Sequence, residues 1–211
     1  MLLSILLVNL AILISGRGSN MSAILNAIEN KQIINIQKIL VISNKEDSFG
    51  LQVAKSRYNV PTEIILKKNI TNEEFDTLLI NTLKSYEMHS TNSLICLAGF
   101  MQILGPMIVN IYKYHILNIH PSLLPSFKGL NAQKQAIDAG VKISGCTVHF
   151  VDQKMDNGPI ILQKCVPVLD SDNEYSLSDR ILMEEHKIYQ KAINLFIDNK
   201  LKVQGNRVFI E

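Results

Sequence analysis

An amide and an imidazole stand one residue apart in this sequence, at Asn118 and His120. They lie at the end of an apolar run, His115 to Ile119, that predicts a buried strand. Because side chains alternate along a strand, we expect both to project to the same side at its carboxyl end, where open α/β sheets bind ligands. Two donors aimed together can stabilise an oxygen that becomes negative during acyl transfer. A turn asparagine beside a structural histidine is the alternative for this pair taken alone.

A carboxylate lies farther along the chain, in the segment Asp156 to Pro159, directly before the predicted strand Ile160 to Val168. Asp-Asn-Gly is common in turns, so this segment alone is equally typical of an ordinary turn. Asp156 therefore becomes a candidate for chemistry only when it is considered together with the other signals.

A glycine-containing loop, Gly16 to Asn20, follows the strand predicted over Asn9 to Ile14 and precedes the first predicted helix. Backbone N–H groups and the helix dipole at such a position can hold an anion. A dinucleotide site would need a third glycine where Met21 stands and an acid after the second strand, where the sequence reads Ser-Asn-Lys. Both departures favour a phosphomonoester over NAD, and a plain strand-to-helix turn is the alternative.

Apolar runs and amphipathic stretches alternate along the chain, which predicts an α/β fold with helices on both faces of a mostly parallel, Rossmann-like sheet. After Val141 the connections shorten, which predicts a mixed or antiparallel edge in the C-terminal half. Ser19 or Asn20 is expected to cap the first helix, and Thr71 with Glu74 forms a predicted capping box. The predicted strands are Leu10–Ile14, Ile36–Ser43, Leu94–Ala98, His115–Ile119, Cys146–Val151 and Ile160–Val168, and a long helix is predicted over Glu174–Asn199.

The composition favours one well-cored domain over residues 1–211. The chain has 211 residues, a formal charge of +2, 47% hydrophobic and 19% charged residues. This balance argues against disorder, a polytopic membrane protein and a strong sequence-wide attraction to nucleic acid. The three cysteines, Cys96, Cys146 and Cys165, are widely spaced and form no Cys-x-x-Cys pair, so we expect small buried core residues and no zinc site.

The first 14 residues, Met1 to Ile14, are nearly all apolar. No Lys or Arg precedes them and no Ala-x-Ala site follows, so they do not have the pattern of a secretory signal. They are also shorter than the roughly 20 residues that a membrane-spanning helix needs. We therefore expect a buried strand over Asn9 to Ile14, preceded by an extension over residues 1–8 that is either part of the protein or a misassigned start.

Four segments, taken in order, resemble the phosphoribosylglycinamide formyltransferase family of purine synthesis. They are Ile14 to Asn20, Leu97 to Met101, Leu117 to Pro125 and Asp156 to Ile161. Asn-x-His-Pro-Ser-Leu-Leu-Pro with a later Asp-x-Gly-Pro marks the wider folate-dependent formyltransferase superfamily. Ser126 to Gly129, Gln135-Ala136 and the length narrow the resemblance, which runs from about Asn9 to Phe196, to the glycinamide ribonucleotide branch.

The resemblance implies a reaction and a role for each polar residue. A formyl group would pass from N10 of the co-substrate 10-formyltetrahydrofolate to the amine of glycinamide ribonucleotide, by direct attack of the amine. Cationic His120 and the amide of Asn118 would stabilise the oxyanion. Asp156 would favour the imidazolium and relay a proton, through water, toward N10. No metal is implied.

The resemblance also implies substrate contacts. The nucleotide phosphate would lie on Gly18, Ser19 and Asn20, and the ribose near Glu185, which falls on the inward stripe of the last helix. Two departures from relatives, Gln102 and Asn72 where arginine occurs, imply a weaker grip on the folate carboxylates. The folate would contact Leu97, Met101, Gln102, Ile103, Leu104, Val109, Asn118 and Val151, although the apolar members of this set fit a core equally well.

Several other functions are weighed against this one. A methionyl-tRNA formyltransferase or a formyltetrahydrofolate deformylase should carry a further domain, for which this length has no room. A phosphosugar-binding module without catalysis is disfavoured by the intact polar set, and a membrane-tethered protein would rest on residues 1–8 alone. We expect a cytoplasmic monomer or homodimer that binds small molecules but neither nucleic acid nor membrane.

Overall fold

A computed structural model of the protein describes residues 7–211, so residues 1–6 of the predicted extension lie outside the described part. Val8, the last residue of that extension, already belongs to the first strand. The strands are β1 (Val8–Ile14), β2 (Ile36–Ser43), β3 (Thr62–Ile64), β4 (Ser93–Leu97), β5 (Ile116–His120), β6 (Ile143–Phe150), β7 (Ile160–Pro167), β8 (Leu201–Gln204) and β9 (Arg207–Ile210). The helices are α1 (Ser19–Glu29), α2 (Phe49–Tyr58), α3 (Asn72–Ser85), α4 (Pro106–Ile111), α5 (Ala132–Asp138) and α6 (Glu174–Ile197).

The chain divides into two compact units, the first ending at Leu117 and the second beginning at Asn118. In the first unit the strands lie in the order β3-β2-β1-β4, and every pair is parallel. All seven residues of β1 are buried, which explains its nearly continuous apolar sequence. Since Ile14 pairs with Ser43 and Leu13 with Leu97, these three strands end at one edge. The loops that follow them meet there.

The second unit contains the antiparallel pairs. Its strand order is β5-β6-β7-β9-β8, with β6 antiparallel to β7 and β8 antiparallel to β9. The last helix, α6, contacts both β6 and β7. The predicted fold class, a mostly parallel α/β sheet with a mixed edge in the C-terminal half, is confirmed.

Of the two predicted helix caps, the one at the start of α3 is confirmed and the one at the start of α1 is wrong. The capping box at the start of α3 is confirmed, since Thr71 Oγ1 accepts from the backbone of Glu74 and Glu74 Oε2 accepts from the backbone of Thr71. The predicted cap of α1 by Ser19 or Asn20 is wrong. Gly18 is the N-cap, in a left-handed conformation with φ of 74°, and within residues 7–211 no side chain caps this helix.

Three strands, β3, β8 and β9, were not predicted, and one cysteine lies elsewhere than expected. Cys96 and Cys146 are buried, as predicted, but Cys165 is exposed, in a stretch of β7 where three consecutive residues, 163 to 165, are exposed. Across residues 7–211, no helix combines the length and the apolar character that a membrane crossing would require.

Candidate active site

The second unit brings Asn118, His120 and Asp156 into one cluster. Asn118 and His120 lie on the carboxyl half of β5, and Asp156 lies in the turn between β6 and β7. The carboxylate oxygen Oδ2 of Asp156 is 3.4 Å from Nδ1 of His120, and both side chains are at least nine-tenths buried. The spacing along β5 and the chain reversal after β6 together place an amide, an imidazole and an acid within reach of one another.

Both ring nitrogens of His120 face oxygen atoms that can only accept. Nε2 donates to the backbone carbonyl of Phe127 over 2.8 Å, and Nδ1 faces the Asp156 carboxylate. A neutral ring would direct a lone pair at one of these oxygens, whereas a doubly protonated ring satisfies both. The surroundings of His120 are therefore those of an imidazolium ion.

Two backbone features hold Asp156 in place. Its backbone is left-handed, with φ of 48°, and its Oδ2 accepts from the backbone N–H of Gly129 over 2.8 Å. Two residues later the chain passes so close to the end of β6 that a Cβ on Gly158 would collide with the Phe150 carbonyl oxygen. The Asp-Asn-Gly turn thus holds the carboxylate of Asp156 in a fixed position next to His120.

A second histidine, His149, belongs to the same cluster and was not predicted. It lies on β6, is almost completely buried, and its Nε2 is 3.2 Å from Nδ2 of Asn118 and 3.9 Å from Oδ1 of Asp156. Burial lowers its pKa. The available signal was a single histidine in β6, seven residues before Asp156.

The predicted phosphate loop lies in the first unit, between β1 and α1. Gly18 forms its last turn, Ser19 is exposed and Asn20 is buried. The first turn of α2 supports the loop from one side: the Gly16 carbonyl accepts from the backbone N–H of Gly50 over 3.0 Å and from Ser48 Oγ over 2.9 Å. Because the N-terminus of α1 has no side-chain cap among the described residues, its backbone N–H groups face the position where an anion would bind.

The loop that follows β4 is tied to the end of β1. Ser15 Oγ donates to Asn44 Oδ1 over 2.6 Å and accepts from the backbone N–H of Met101 over 2.7 Å. One hydroxyl therefore connects the segments that follow β1, β2 and β4. It fixes the start of the predicted folate-binding segment directly beside the phosphate loop.

The residues predicted to contact folate differ in exposure. Leu97, Leu104 and Val109 are buried in the core, whereas Met101 and Ile103 are 65% and 59% exposed. Exposed apolar side chains of this size are candidates for ligand contact. The exposure of Met101 and Ile103 therefore fits the predicted folate contact better than the burial of the other three does. Gln102 is half-buried and donates to the Ile103 carbonyl, and Val151, in the second unit, is also half-buried.

Glu185 lies on the inward face of α6, as its spacing predicts. It is only 6% exposed, among the buried residues Ile181, Ile188 and Tyr189 of the same helix. Among residues 7–211, no cluster of three or more His, Cys, Asp or Glu side chains has a geometry that could hold a metal ion.

A family model described as formyl transferase matches residues 8–193, nearly the whole described chain. The chain belongs to the formyl transferase family. The matched region includes Asn118, His120, Asp156 and His149.

Relatives of this formyl transferase carry more specific names. It is 38% identical over 203 residues to phosphoribosylglycinamide formyltransferase of Escherichia coli K12, covering 96% of this chain and 93% of the relative. The chain is 45% identical over 196 residues to the trifunctional purine biosynthetic protein adenosine-3 of Chironomus tentans. This match covers 92% of the chain but only 14% of the relative. The crystal structure of glycinamide ribonucleotide transformylase 1 from Symbiobacterium toebii superposes with a TM-score of 0.92 at 41% identity, covering 100% of this chain and 97% of that one.

Proposed function

We propose that this formyl transferase is a phosphoribosylglycinamide formyltransferase that moves a formyl group from 10-formyltetrahydrofolate to the amine of glycinamide ribonucleotide. The observation that carries the proposal is the Asn118, His120 and Asp156 cluster, in which an imidazole lies 3.4 Å from a buried carboxylate beside a carboxamide donor. The names and full-length similarity of the bacterial relatives support the choice of substrates.

The reaction begins when the amine nitrogen of the nucleotide attacks the formyl carbon, which gives a tetrahedral intermediate with a negative oxygen. One Nδ2 hydrogen of Asn118 is directed at His149, and the other, within the described contacts, remains available to that oxygen. Both N–H groups of cationic His120 are directed at protein oxygens, so in this arrangement the ring stabilises the oxyanion through its charge.

Collapse of the intermediate breaks the bond between the formyl carbon and N10. The amine loses one proton and N10 gains one, so the reaction needs a proton relay but no net acid or base. Asp156 is the carboxylate of this cluster, and we assign it the relay, through water, together with the electrostatic support of His120. Holding both substrates in register supplies a large part of the acceleration.

The remaining predicted residues bind substrate in this proposal. Gly18, Ser19 and Asn20 hold the phosphate at the start of α1, and Glu185 binds the ribose hydroxyls. Met101 and Ile103 offer apolar contact to the pteridine, and Gln102 and Val151 stay predicted folate contacts. A monomer or homodimer in the cytoplasm, folded as one domain over residues 1–211, stays a prediction.

The decisive experiment is a spectroscopic transfer assay with purified protein, glycinamide ribonucleotide and a 10-formyl folate at pH 7 to 8. We expect formylglycinamide ribonucleotide, identified by mass, to form in proportion to deformylated folate. Deformylated folate without a formylated nucleotide would instead indicate a hydrolase. Nucleotide binding without turnover would indicate a phosphosugar-binding module and would contradict the proposal.

A further inference from the structure

His149 has a fixed protonation pattern because of what its two ring nitrogens face. Nδ1 is 2.8 Å from the backbone carbonyl oxygen of Phe150, an acceptor, so this nitrogen carries the proton. The ring is 2% exposed. Burial is the main cause of a lowered pKa, which favours the neutral ring. With Nδ1 protonated and the ring neutral, Nε2 can only accept.

This pattern decides how the carboxamide of Asn118 is oriented. Nε2 of His149 lies 3.2 Å from Nδ2 of Asn118, a distance at which the amide N–H donates to the ring. If the carboxamide were turned over, its oxygen would face a lone pair on Nε2 and the hydrogen bond would be replaced by repulsion. The neutral ring therefore selects one of the two orientations of the amide and fixes the direction of the second N–H.

The charged groups around His149 are consistent with a neutral acceptor at this position. Asp156 is 3.9 Å from Nε2 and favours a proton there, whereas the positive charge of His120 disfavours it. Asp152 acts in the same direction as Asp156. A second imidazolium next to His120 would also divide the attraction of Asp156 between two cations.

We propose that His149 is a positioning residue whose unprotonated Nε2 fixes the carboxamide of Asn118 in the orientation that presents an N–H to the reaction centre. The proposal rests on the formyl-transfer function proposed above, and it assigns His149 no direct contact with substrate. Its role is comparable to that of the groups that orient a catalytic donor in other preorganised sites.

Two amide substitutions separate the functions of the two ring nitrogens. In His149→Gln the amide can place an acceptor where Nε2 was, whereas in His149→Asn the amide can reach the Phe150 carbonyl but not Asn118. We expect His149→Gln to retain kcat within about threefold. His149→Asn should lower kcat by about 10- to 100-fold, less than the roughly 100- to 1000-fold typical of deleting a donor, with little change in either KM.

The order of these two variants distinguishes positioning from structural support. If His149 served only to hold the Phe150 backbone, His149→Asn would be the milder change, and that result would overturn the proposal. His115→Gln is the matched control, because Nδ1 of His115 also faces a backbone carbonyl, that of Ser93, over 2.9 Å. This control should leave kcat unchanged.

A spectroscopic measurement tests the inference independently of turnover. In ¹⁵N spectra of the unliganded protein, His149 should show a protonated Nδ1 and an unprotonated Nε2 at pH 7. The side-chain amide resonances of Asn118 should shift in His149→Asn but stay near their positions in His149→Gln. A proton on Nε2 would refute the orientation argument, whereas an inactive wild-type enzyme with the expected spectra would refute only the proposed function.

Discussion

At the scale of single residues, the atoms that face each ring nitrogen determine whether that nitrogen of His120 or His149 carries a proton. His120 lies between a backbone carbonyl and the Asp156 carboxylate, and His149 lies between a backbone carbonyl and an amide N–H. The same side chain is thus set up as a cation at one position and as a neutral acceptor at the other. Among these partners of the two rings, Asp156 alone carries a charge, so its substitution tests the electrostatic support of His120 most directly.

Asp156→Asn removes the negative charge beside His120 while keeping nearly the same shape. We expect kcat to fall by about 100-fold or more, because the imidazolium loses its partner and the proton relay is lost. Binding of the nucleotide, measured by calorimetry, should change by less than about threefold. Equal losses in kcat and in nucleotide affinity would indicate misfolding or a binding role, and Asp170→Asn, at an exposed surface ion pair with Lys142, is the control.

The residues of the site were predictable to different degrees. The spacing of Asn118 and His120 on an apolar strand was enough to predict a shared side, and in the structure the two side chains lie in one cluster with His149 and Asp156. Asp156 is 36 positions beyond His120 and was assigned through the family resemblance, because an Asp-Asn-Gly turn has no distinguishing local pattern. His149 escaped prediction because a lone histidine in an apolar strand is usually a core residue, and its partner Asn118 is 31 positions away.

At the scale of elements, the phosphate loop depends on how closely α2 approaches it. A Cβ on Gly50 would lie 2.5 Å from Ile14 Cδ1, 3.0 Å from the Gly16 carbonyl oxygen and 3.2 Å from Gly18 Cα. The isoleucine methyl can move, but the other two atoms are backbone of the loop. Helix propensity alone favours alanine over glycine by about 1 kcal/mol, so the two effects predict opposite outcomes.

Gly50→Ala is expected to displace the loop at Gly16 and Gly18. We expect the KM for the nucleotide to rise about tenfold, with a much smaller change in the KM for folate. Steady-state kinetics with each substrate varied in turn measures both. Ser56→Ala, in the same helix, removes only an exposed hydroxyl bonded to the backbone of Gln52 and should change neither value. A variant as active as the wild type and more stable would show that helix propensity prevails.

The strands that the sequence predicted and those it did not differ in burial. The strand β1 is buried throughout and was recognisable as an apolar run, whereas β3 has only three residues and none of them is buried. The hairpin of β8 and β9 is half exposed, and its alternating pattern spans only four residues on each side. Its turn, Gly205-Asn206, was the signal that could have identified it.

At the scale of the whole molecule, buried histidines make stability depend on pH. Burial lowers the pKa of His149 and of His186, so the unfolded chain binds protons more readily than the folded one. The contribution of these two histidines to the free energy of unfolding is therefore fully present above the ordinary histidine pKa of about 6.5. It is lost as the pH falls toward their lowered pKa values in the folded protein. The Arg180 guanidinium instead lowers the pKa of Asp172, whose contribution is lost only below its ordinary range near 3.8.

We expect the urea midpoint of unfolding to decrease between pH 7 and pH 5, where the carboxylates contribute little to the slope. Each unit of difference between the folded and unfolded pKa of one histidine corresponds to about 1.4 kcal/mol. His149→Gln should flatten the pH dependence, and a second substitution, His186→Gln, should flatten it further. A midpoint that is constant or rises as the pH is lowered over this interval would contradict the expectation.

Because one of the three cysteines is exposed and two are buried, the number of reactive thiols reports unfolding. Cys165 faces solvent on β7, whereas Cys96 and Cys146 are enclosed, and burial raises the pKa of Cys146 to about 12. An alkylating reagent attacks the thiolate form, so the native protein can be modified rapidly at one sulfur and the unfolded chain at three. Counting attached labels by mass in a brief exposure thus reports what fraction of molecules has opened, with no tryptophan to introduce and no engineered probe.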